Sequence, residues 1–493
     1  MTSENTAAPS RAPRPRGDRP AGGLDRFFKI SERGSTLGTE MRGGLATFFA
    51  MSYIVVLNPL ILGLGADGAG NALGIDRVAA ATALVSGLMS ILMGILSNHP
   101  FAMAAGLGVN AFLAATIATT PGLTWPELMG LVVWAGIVMF LLVLTGFRTA
   151  VFNAVPASLK TAIVVGIGLF ISFIGFVNAG FIRRMPDDAG TTVPVSFGVG
   201  GELFGWPILV FLVGLFLTIA LMIRNVRGAI LIGVIVSTIL SIAIETVAPS
   251  GPSTANPAGW SLVVPGVPES WFGLPDLSLI GQFSWFGAFQ SLGGMAASLM
   301  VFAILLSVFF DAMGTSVGLA TEAGNITKDG KIPAINRVLA VDALGSVAGG
   351  GASSSSSQIF VESATGIGEG ARTGLAPVVT GALFLVATFI SPLVNIVPFE
   401  AVAPALVIVG FLMVRQAVNV EWNDWGLGIP AFLTIAMMPF TYSIAHGIGA
   451  GFVSYAFIRL AQGRGREVHP LMYVVSAAFL LYFGMGVIDG WMH

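Results

Sequence analysis

Gly349-Gly350-Gly351-Ala352-Ser353-Ser354-Ser355-Ser356-Ser357-Gln358-Ile359-Phe360-Val361-Glu362 interrupts an otherwise apolar part of the chain. The glycines end the helical pattern before them, the serines can expose hydroxyl and backbone groups to a cavity, and the apolar remainder is too short to cross a bilayer alone. Irregular backbone at membrane depth survives only where protein or a water-filled cavity satisfies its polar groups. The stretch reads as the break in a discontinuous membrane segment, with Glu362 at its end.

The composition supports that setting. Of 493 residues, 55% are hydrophobic and 10% charged, whereas soluble domains carry roughly 25% charged residues. Apolar runs recur in windows of about 18 to 22 residues, the length that crosses hydrocarbon as a helix. They fall at about 43–64, 79–97, 101–119, 128–146, 155–177, 205–223, 228–246, 291–320, 334–350, 357–369, 372–391 and 398–415. A broken pair follows at about 427–441 and 444–461, then a last span near 471–490. With the pair taken as one hairpin of two short helices, the segments number fourteen, in one membrane transporter domain over 31–493. A net charge of −2 leaves no footprint for nucleic acid, and the lack of cysteine excludes disulfides and thiolate metal sites.

Residues 1 to about 24 are rich in Pro and Arg (Arg11, Pro13, Arg14, Pro15, Arg16, Arg19, Pro20), and an arm over 1–30 is expected to be disordered. No apolar stretch precedes Leu45, so no signal peptide is expected and the first span stays in the mature protein. The arm, Arg148 with Lys160, Arg224 with Arg227, Lys328 with Lys331 and Arg337, and Arg372 all fall on one side of the spans. Positively charged loops face the cytoplasm, which puts the N-terminus there, in a multi-pass protein of the cell membrane. Arg183 and Arg184 fall on the other side, beside Asp187 and Asp188, as does the long connection 247–290, which has no Lys or Arg.

A second break answers the first. Asn98-His99-Pro100, then Ala104-Ala105-Gly106-Leu107-Gly108-Val109-Asn110, opens a short span at the corresponding place in the first half. Gly-interrupted short segments in matching positions of two halves point to a transporter site at the repeat interface. Seven spans per half, an odd number, make the repeats inverted.

A carboxylate at the centre of a membrane helix costs roughly 2.5 to 3.5 kcal/mol on insertion scales, so each one asks for a reason. Asp311 lies well inside a span and is followed by Gly314, Thr315 and Ser316; Asp342 lies within Val338–Gly345; Glu362 ends the quoted break. The structural alternative for each is a polar tie between helices. Asn110 is the matching polar residue of the first half, where an amide can be interhelical glue or a ligand contact. Asn58 with Pro59 reads as a kink or helix end. The serines with His446 superficially resemble an intramembrane serine protease, but no Gly-x-Ser-Gly motif is present. His99, His469 and His493 fall in loops or at the terminus, so no metal site and no cofactor is expected.

Three segments resemble the nucleobase:cation symporter-2 family, in its azaguanine-resistance-like (AzgA-like) branch of purine permeases. They are Thr47-Phe48-Phe49-Ala50-Met51-Ser52-Tyr53-Ile54-Val55-Val56-Leu57-Asn58-Pro59, Gly106-Leu107-Gly108-Val109-Asn110-Ala111-Phe112, and the long Val361-Glu362-Ser363-Ala364-Thr365-Gly366-Ile367-Gly368-Glu369-Gly370-Ala371-Arg372-Thr373-Gly374. The resemblance implies an all-α polytopic fold of about fourteen segments in two inverted repeats of seven. It also implies two short β-strands at the centre of the core, at about 102–105 and 354–358. A core domain of about 43–150 and 291–391 would move against a gate domain of about 151–290 and 392–493, in a homodimer.

By the same likeness Asp311, Glu362, Gly108 and Asn110 match substrate contacts, with Phe360 and Thr315 beside the two acids. A carboxylate can accept two purine N–H donors side by side, and an amide both donates and accepts. Glu362, Asp311 or Asp342 would exchange the coupled proton as the surroundings alternate, with sodium as the other candidate ion. Val308 stands where many relatives have a second acid, and Phe360 where the aromatic is usually Tyr. The resemblance therefore leaves open adenine, guanine or hypoxanthine, with xanthine, uric acid, uracil or an anion as alternatives.

Overall fold

The computed structural model describes residues 22–145, 154–184, 195–198, 201–226, 228–253, 255–256, 258–261, 263–267, 270–325 and 332–492. Arg148, Asp187, Asp188, Arg227, Lys328, Lys331, His493 and the basic residues before 22 lie outside the described residues.

The described residues are mostly helical. The first span is α1 (Leu37–Met51) with α2 (Ile54–Leu62), followed by α3 (Ile75–Ser97), α4 (Leu107–Thr119), α5 (Trp125–Leu144), α6 (Ala157–Asn178), α7 (Trp206–Ile223) and α8 (Ala229–Val247). The second half holds α9 (Gly294–Glu322), α10 (Ile335–Gly351), α11 (Ser363–Gly368), α12 (Leu375–Ala387), α13 (Phe399–Val414), α14 (Trp425–Phe440), α15 (Ile444–Ala461) and α16 (Pro470–Met492). Among the described residues, eight helical stretches are long and apolar enough to cross a membrane: 37–62, α3, α5, α6, α7, α8, 375–396 and 399–419. With α14 and α15 counted as one unit, each of the fourteen expected segments holds a helix. The all-α polytopic fold is thus the one observed, with a strand pair at its centre.

Local chemistry sets the helix ends. Thr124 and Glu127 form a reciprocal capping box at the start of α5, Glu127 Oε2 accepting from Thr124 N at 2.8 Å, which satisfies N–H groups that a helix leaves without partners. Between α14 and α15 the chain turns at Thr441–Ser443, with Pro439 near the end of the first helix, Tyr442 in the left-handed region (φ 53°) and Ser443 capping the second. The two helices pack along each other, as expected of a hairpin.

At the centre, β1 (Met103–Ala105) pairs antiparallel with β4 (Ser357–Ile359), in the register Met103 to Ile359, Ala104 to Gln358 and Ala105 to Ser357. Gly106 N donates to Ser356 O and Phe360 N to Ala102 O, extending the ladder at both ends. The second strand lies later than the expected 354–358. Ser353 and Ser355 adopt positive φ, and Ser353 N and Ser354 N donate back to Gly350 O and Gly349 O, so the first serines close α10 as a turn and the strand begins only at Ser357. Two glycines of α10 permit this. A Cβ at Gly345 would run into Ser357 O, and one at Gly349 into Ser355 O. A second short hairpin, β2 (Ile182–Arg184) with β3 (Val195–Phe197), had no counterpart in the sequence reading.

Two further expectations change. The first span breaks at Ser52–Tyr53 and runs unbroken through Asn58 and Pro59 to Leu62. Asn58 is a tie: its Nδ2 donates to Thr82 Oγ1 at 2.7 Å and to Ser354 O at 3.1 Å. Within the arm set off at 1–30, Gly23–Phe28 is helical, and Phe28 and Ile30 bury against Leu375, because the apolar content resumes at Leu24.

Helices up to residue 144 pack mainly on those between 294 and 396: α5 on α10, and α3 and α1 on α12. α6 packs on α13 and α14, α13 on α7, and α7 on α8. The two groups meet where α6 touches α4 and α9, α15 touches α9, α8 touches α1 and α13 touches α2.

Candidate functional site

Between those groups lies a cavity of about 100 Å³. One wall is built by the central breaks: Tyr53 between α1 and α2, Gly106, Leu107 and Gly108 at the start of α4, Asp311 and Thr315 one turn apart on α9, and Ile359 to Glu362 after β4. The opposite wall comes from α6 and α13 and is aliphatic (Val164, Ile171, Val409, Leu412, Met413), ending in Gln416. A flat ligand would meet acceptors along one edge and apolar contacts across its faces.

Each break delivers its residue for a physical reason. The β1 ladder ends at Gly106, whose Cβ would collide with the Gln358 side chain, and α4 starts at once with Leu107. Its first N–H groups have no intrahelical partner and point toward the break. β4 ends at Ile359 and α11 starts at Ser363, so Phe360, Val361 and Glu362 fall in the break between them and line the cavity.

Of the residues singled out from the sequence, Asp311, Glu362, Gly108, Phe360 and Thr315 line this cavity together. Asp311 lies within electrostatic range of Asp342 and Glu362. Asp342 is wholly buried on α10 and is not among the lining residues. Asn110 is also wholly buried and off the lining, with neither amide atom hydrogen-bonded among the described residues. Its backbone continues α4 beyond Gly108, which turns its side chain away from the cavity wall.

Two residues that line the cavity, Tyr53 and Gln416, are not singled out by the sequence. Tyr53 Oη donates to Glu362 Oε1 at 2.6 Å, while Oε2 has no partner among the described residues. The break that brings Tyr53 to the cavity contains neither Gly nor Pro, so only its place in the Thr47–Pro59 segment could have drawn attention to it. Gln416, at the end of a span, reads from sequence as the helix leaving the membrane.

The long third motif splits in two. Its first residues reach the cavity, whereas Arg372, Thr373 and Gly374 form a structural knot. Arg372 N and Thr373 N donate to the buried Glu40 carboxylate at 2.8 and 3.3 Å, and Gly374 N donates to Asn98 Oδ1 at 2.8 Å. This knot ties α1, the end of α3 and the start of α12.

Residues 38–450 match the sequence pattern of the xanthine/uracil permeases, described as the Permease family. The chain belongs to this family. The permease is 37% identical to guanine/hypoxanthine permease PbuG of Bacillus subtilis over 461 residues, 93% of this chain and 98% of PbuG. It is 37% identical to adenine permease AdeQ of Escherichia coli over 463 residues, 94% of this chain and 96% of AdeQ. Among solved structures it is similar to the transmembrane domain of the cyanobacterial bicarbonate transporter BicA, with TM-score 0.57 at 17% identity, over 84% of this chain and 97% of that one. At such identity only the fold is shared. The permease is accordingly a multi-pass membrane protein, and the family resemblance carried by the three motifs holds.

Proposed function

We propose that this permease transports purine nucleobases across the cell membrane as a secondary active transporter and is not an enzyme. The observation that carries the reading is the pairing of Asp311 and Glu362 on one wall of a cavity whose other wall is aliphatic. Purines present ring N–H groups, and in adenine and guanine an exocyclic amine, along an edge; carboxylates accept such donors strongly. The full-length similarity to permeases named for guanine/hypoxanthine and adenine supports the same substrate class.

Proton symport is the coupling we favour over sodium, with Glu362, Asp311 and Asp342 as the group that carries the proton. Membrane carboxyls that change their surroundings during a cycle are natural proton carriers. Transport would proceed by an elevator-type movement of the core (about 43–150 and 291–391) against the gate (about 151–290 and 392–493), in a homodimer with cytoplasmic N-termini. The separate packing of the two helix groups supports that division.

An anion is the second reading, because BicA shares the fold. Two acids beside the cavity argue against it. The hydrolase reading lacks its pair: Ser357 Oγ has no hydrogen-bond partner among the described residues, and His446 lines a different cavity with Thr116, Thr441 and Ser443.

The test is uptake of a radiolabelled nucleobase panel by cells expressing the full chain, with and without a protonophore. Uptake of a purine that collapses with the protonophore is the expected result. If no nucleobase is taken up or competes, the reading is wrong.

A further inference from the structure

The long connection between α8 and α9 carries no Lys or Arg, and within it Trp271-Phe272-Gly273-Leu274-Pro275-Asp276 turns its large apolar side chains outward. Trp271 is 63% exposed, Phe272 74% and Leu274 91%. A contiguous exposed apolar patch marks a surface that meets protein or membrane. Two contacts fix where this one sits. Gly273 N donates to Phe389 O at 3.0 Å, and a Cβ at Gly273 would stand 2.9 Å from Pro392 Cγ. Phe389 and Pro392 belong to the last turns of the membrane-crossing stretch 375–396, whose Val386, Phe389 and Ile390 are themselves exposed. The patch is therefore continuous with the lipid-facing side of a span and lies alongside its end.

We propose that this segment is a membrane anchor, in which Trp271, Phe272 and Leu274 insert among the lipids at the boundary where the stretch 375–396 leaves the bilayer. Tryptophan concentrates at that boundary, and irregular backbone at such depth needs its N–H groups paired, as Phe389 O pairs that of Gly273. Asp276 follows within two residues of Leu274, exposed, with Oδ1 accepting from Ser278 N at 2.9 Å. A carboxylate is costly in hydrocarbon, so it marks the point at which the segment returns to water. This step from apolar to charged matches the polarity gradient of a bilayer surface, which an interface with a second copy of the chain would not require. Further on, Gly281 N donates to Gly351 O and Ser284 N to Pro126 O, fastening the connection to α10 and α5. The anchor thus belongs to the helix group that carries Asp311 and Glu362, and it holds that group to the bilayer whichever solute the permease carries.

The chain has no cysteine, so Leu274→Cys and Phe272→Cys each create a single labelling site. Both side chains are exposed, so either variant should fold, and one that does is enough for the test. The full-length variant, labelled with the environment-sensitive fluorophore NBD, is reconstituted in vesicles of mixed phosphatidylcholine and phosphatidylglycerol. The expected result is emission shifted to the blue, lost for the most part when the vesicles contain lipids with a nitroxide near the headgroup, and little changed by iodide on both sides of the membrane. Iodide quenching as strong as that by the nitroxide lipids places the segment in water and overturns the proposal. Quenching by neither means that protein covers the segment, which also overturns it; oxidative cross-linking of the unlabelled variant into dimers would then identify the cover as a second copy.

Discussion

Gly108 of α4 faces Ile167 of α6 so closely that a Cβ on the glycine would stand 2.9 Å from Ile167 Cγ2. This is a contact between the two helix groups at the cavity itself. Overpacking of this kind costs roughly 1–3 kcal/mol. Gly108→Ala is expected to slow uptake about tenfold or more, since the added methyl obstructs one group passing the other. Gly108→Ala with Ile167→Ala should recover much of the rate; initial uptake at matched surface expression checks both, and a double variant no better than the single one refutes the steric account.

Glu362→Gln replaces one acceptor oxygen by a donor and removes the charge at the site. Hydrogen bonds to charged groups contribute roughly 1.5–3 kcal/mol, so purine uptake should fall by about tenfold to a hundredfold. Asp311→Asn should do the same. If proton coupling runs through these acids, the residual uptake of at least one variant becomes insensitive to a protonophore, which a proton-flux assay in proteoliposomes would register.

Asp424, outside the spans at the start of α14, is hydrogen-bonded by Arg459 at 2.7 Å. That bond holds its carboxyl below the usual value of 3.8; burial opposes the effect, and the Gly426 backbone adds to it. A depressed folded-state pKa stabilises the fold above the unfolded value and loses that contribution as pH falls through the folded one. The Asp424 contribution should therefore be complete at neutral pH and disappear only below about pH 4. Arg459 is nearly buried but Asp424 is partly exposed, so screening limits the pair. Asp424→Asn should lower stability by roughly 1–3 kcal/mol at pH 7. Thermal melting in detergent, compared at pH 7 and pH 3.5, should show the gap between variant and wild type narrowing at the lower pH.

Gly349→Ala tests the central turn. The new methyl meets Ser355 O, which is fixed by the serine turn and cannot move as a flexible side chain would. The yield of monodisperse protein should drop sharply, whereas Gly351→Ala, with only the Phe283 ring edge 3.9 Å from its Cβ position, should be tolerated. Equal yields would mean that the turn is not held by this approach.

Much of the candidate site's cavity lining was legible because its acids are conspicuous where charge is scarce. Asp311 and Glu362 were found on the cost of placing them in hydrocarbon, and Gly108 on its position after the first break. Asn110 was chosen on the same grounds, but helix periodicity turns it off the cavity wall. The serine run reads as the strand, yet Ser353 and Ser355 adopt positive φ and close α10 as a turn, which leaves only Ser357 of the run in β4.

The sequence alone determined where the long apolar helices fall and where the two central glycine breaks lie, because span length, glycine breaks and the rarity of charge are local properties of composition. The tertiary structure decided which atoms meet. Tyr53 and Glu362 are 309 positions apart, and Ala104 pairs with Gln358 across the centre of the fold. Such pairings arise from packing two halves of the chain against each other, a condition on the whole molecule that no single segment carries.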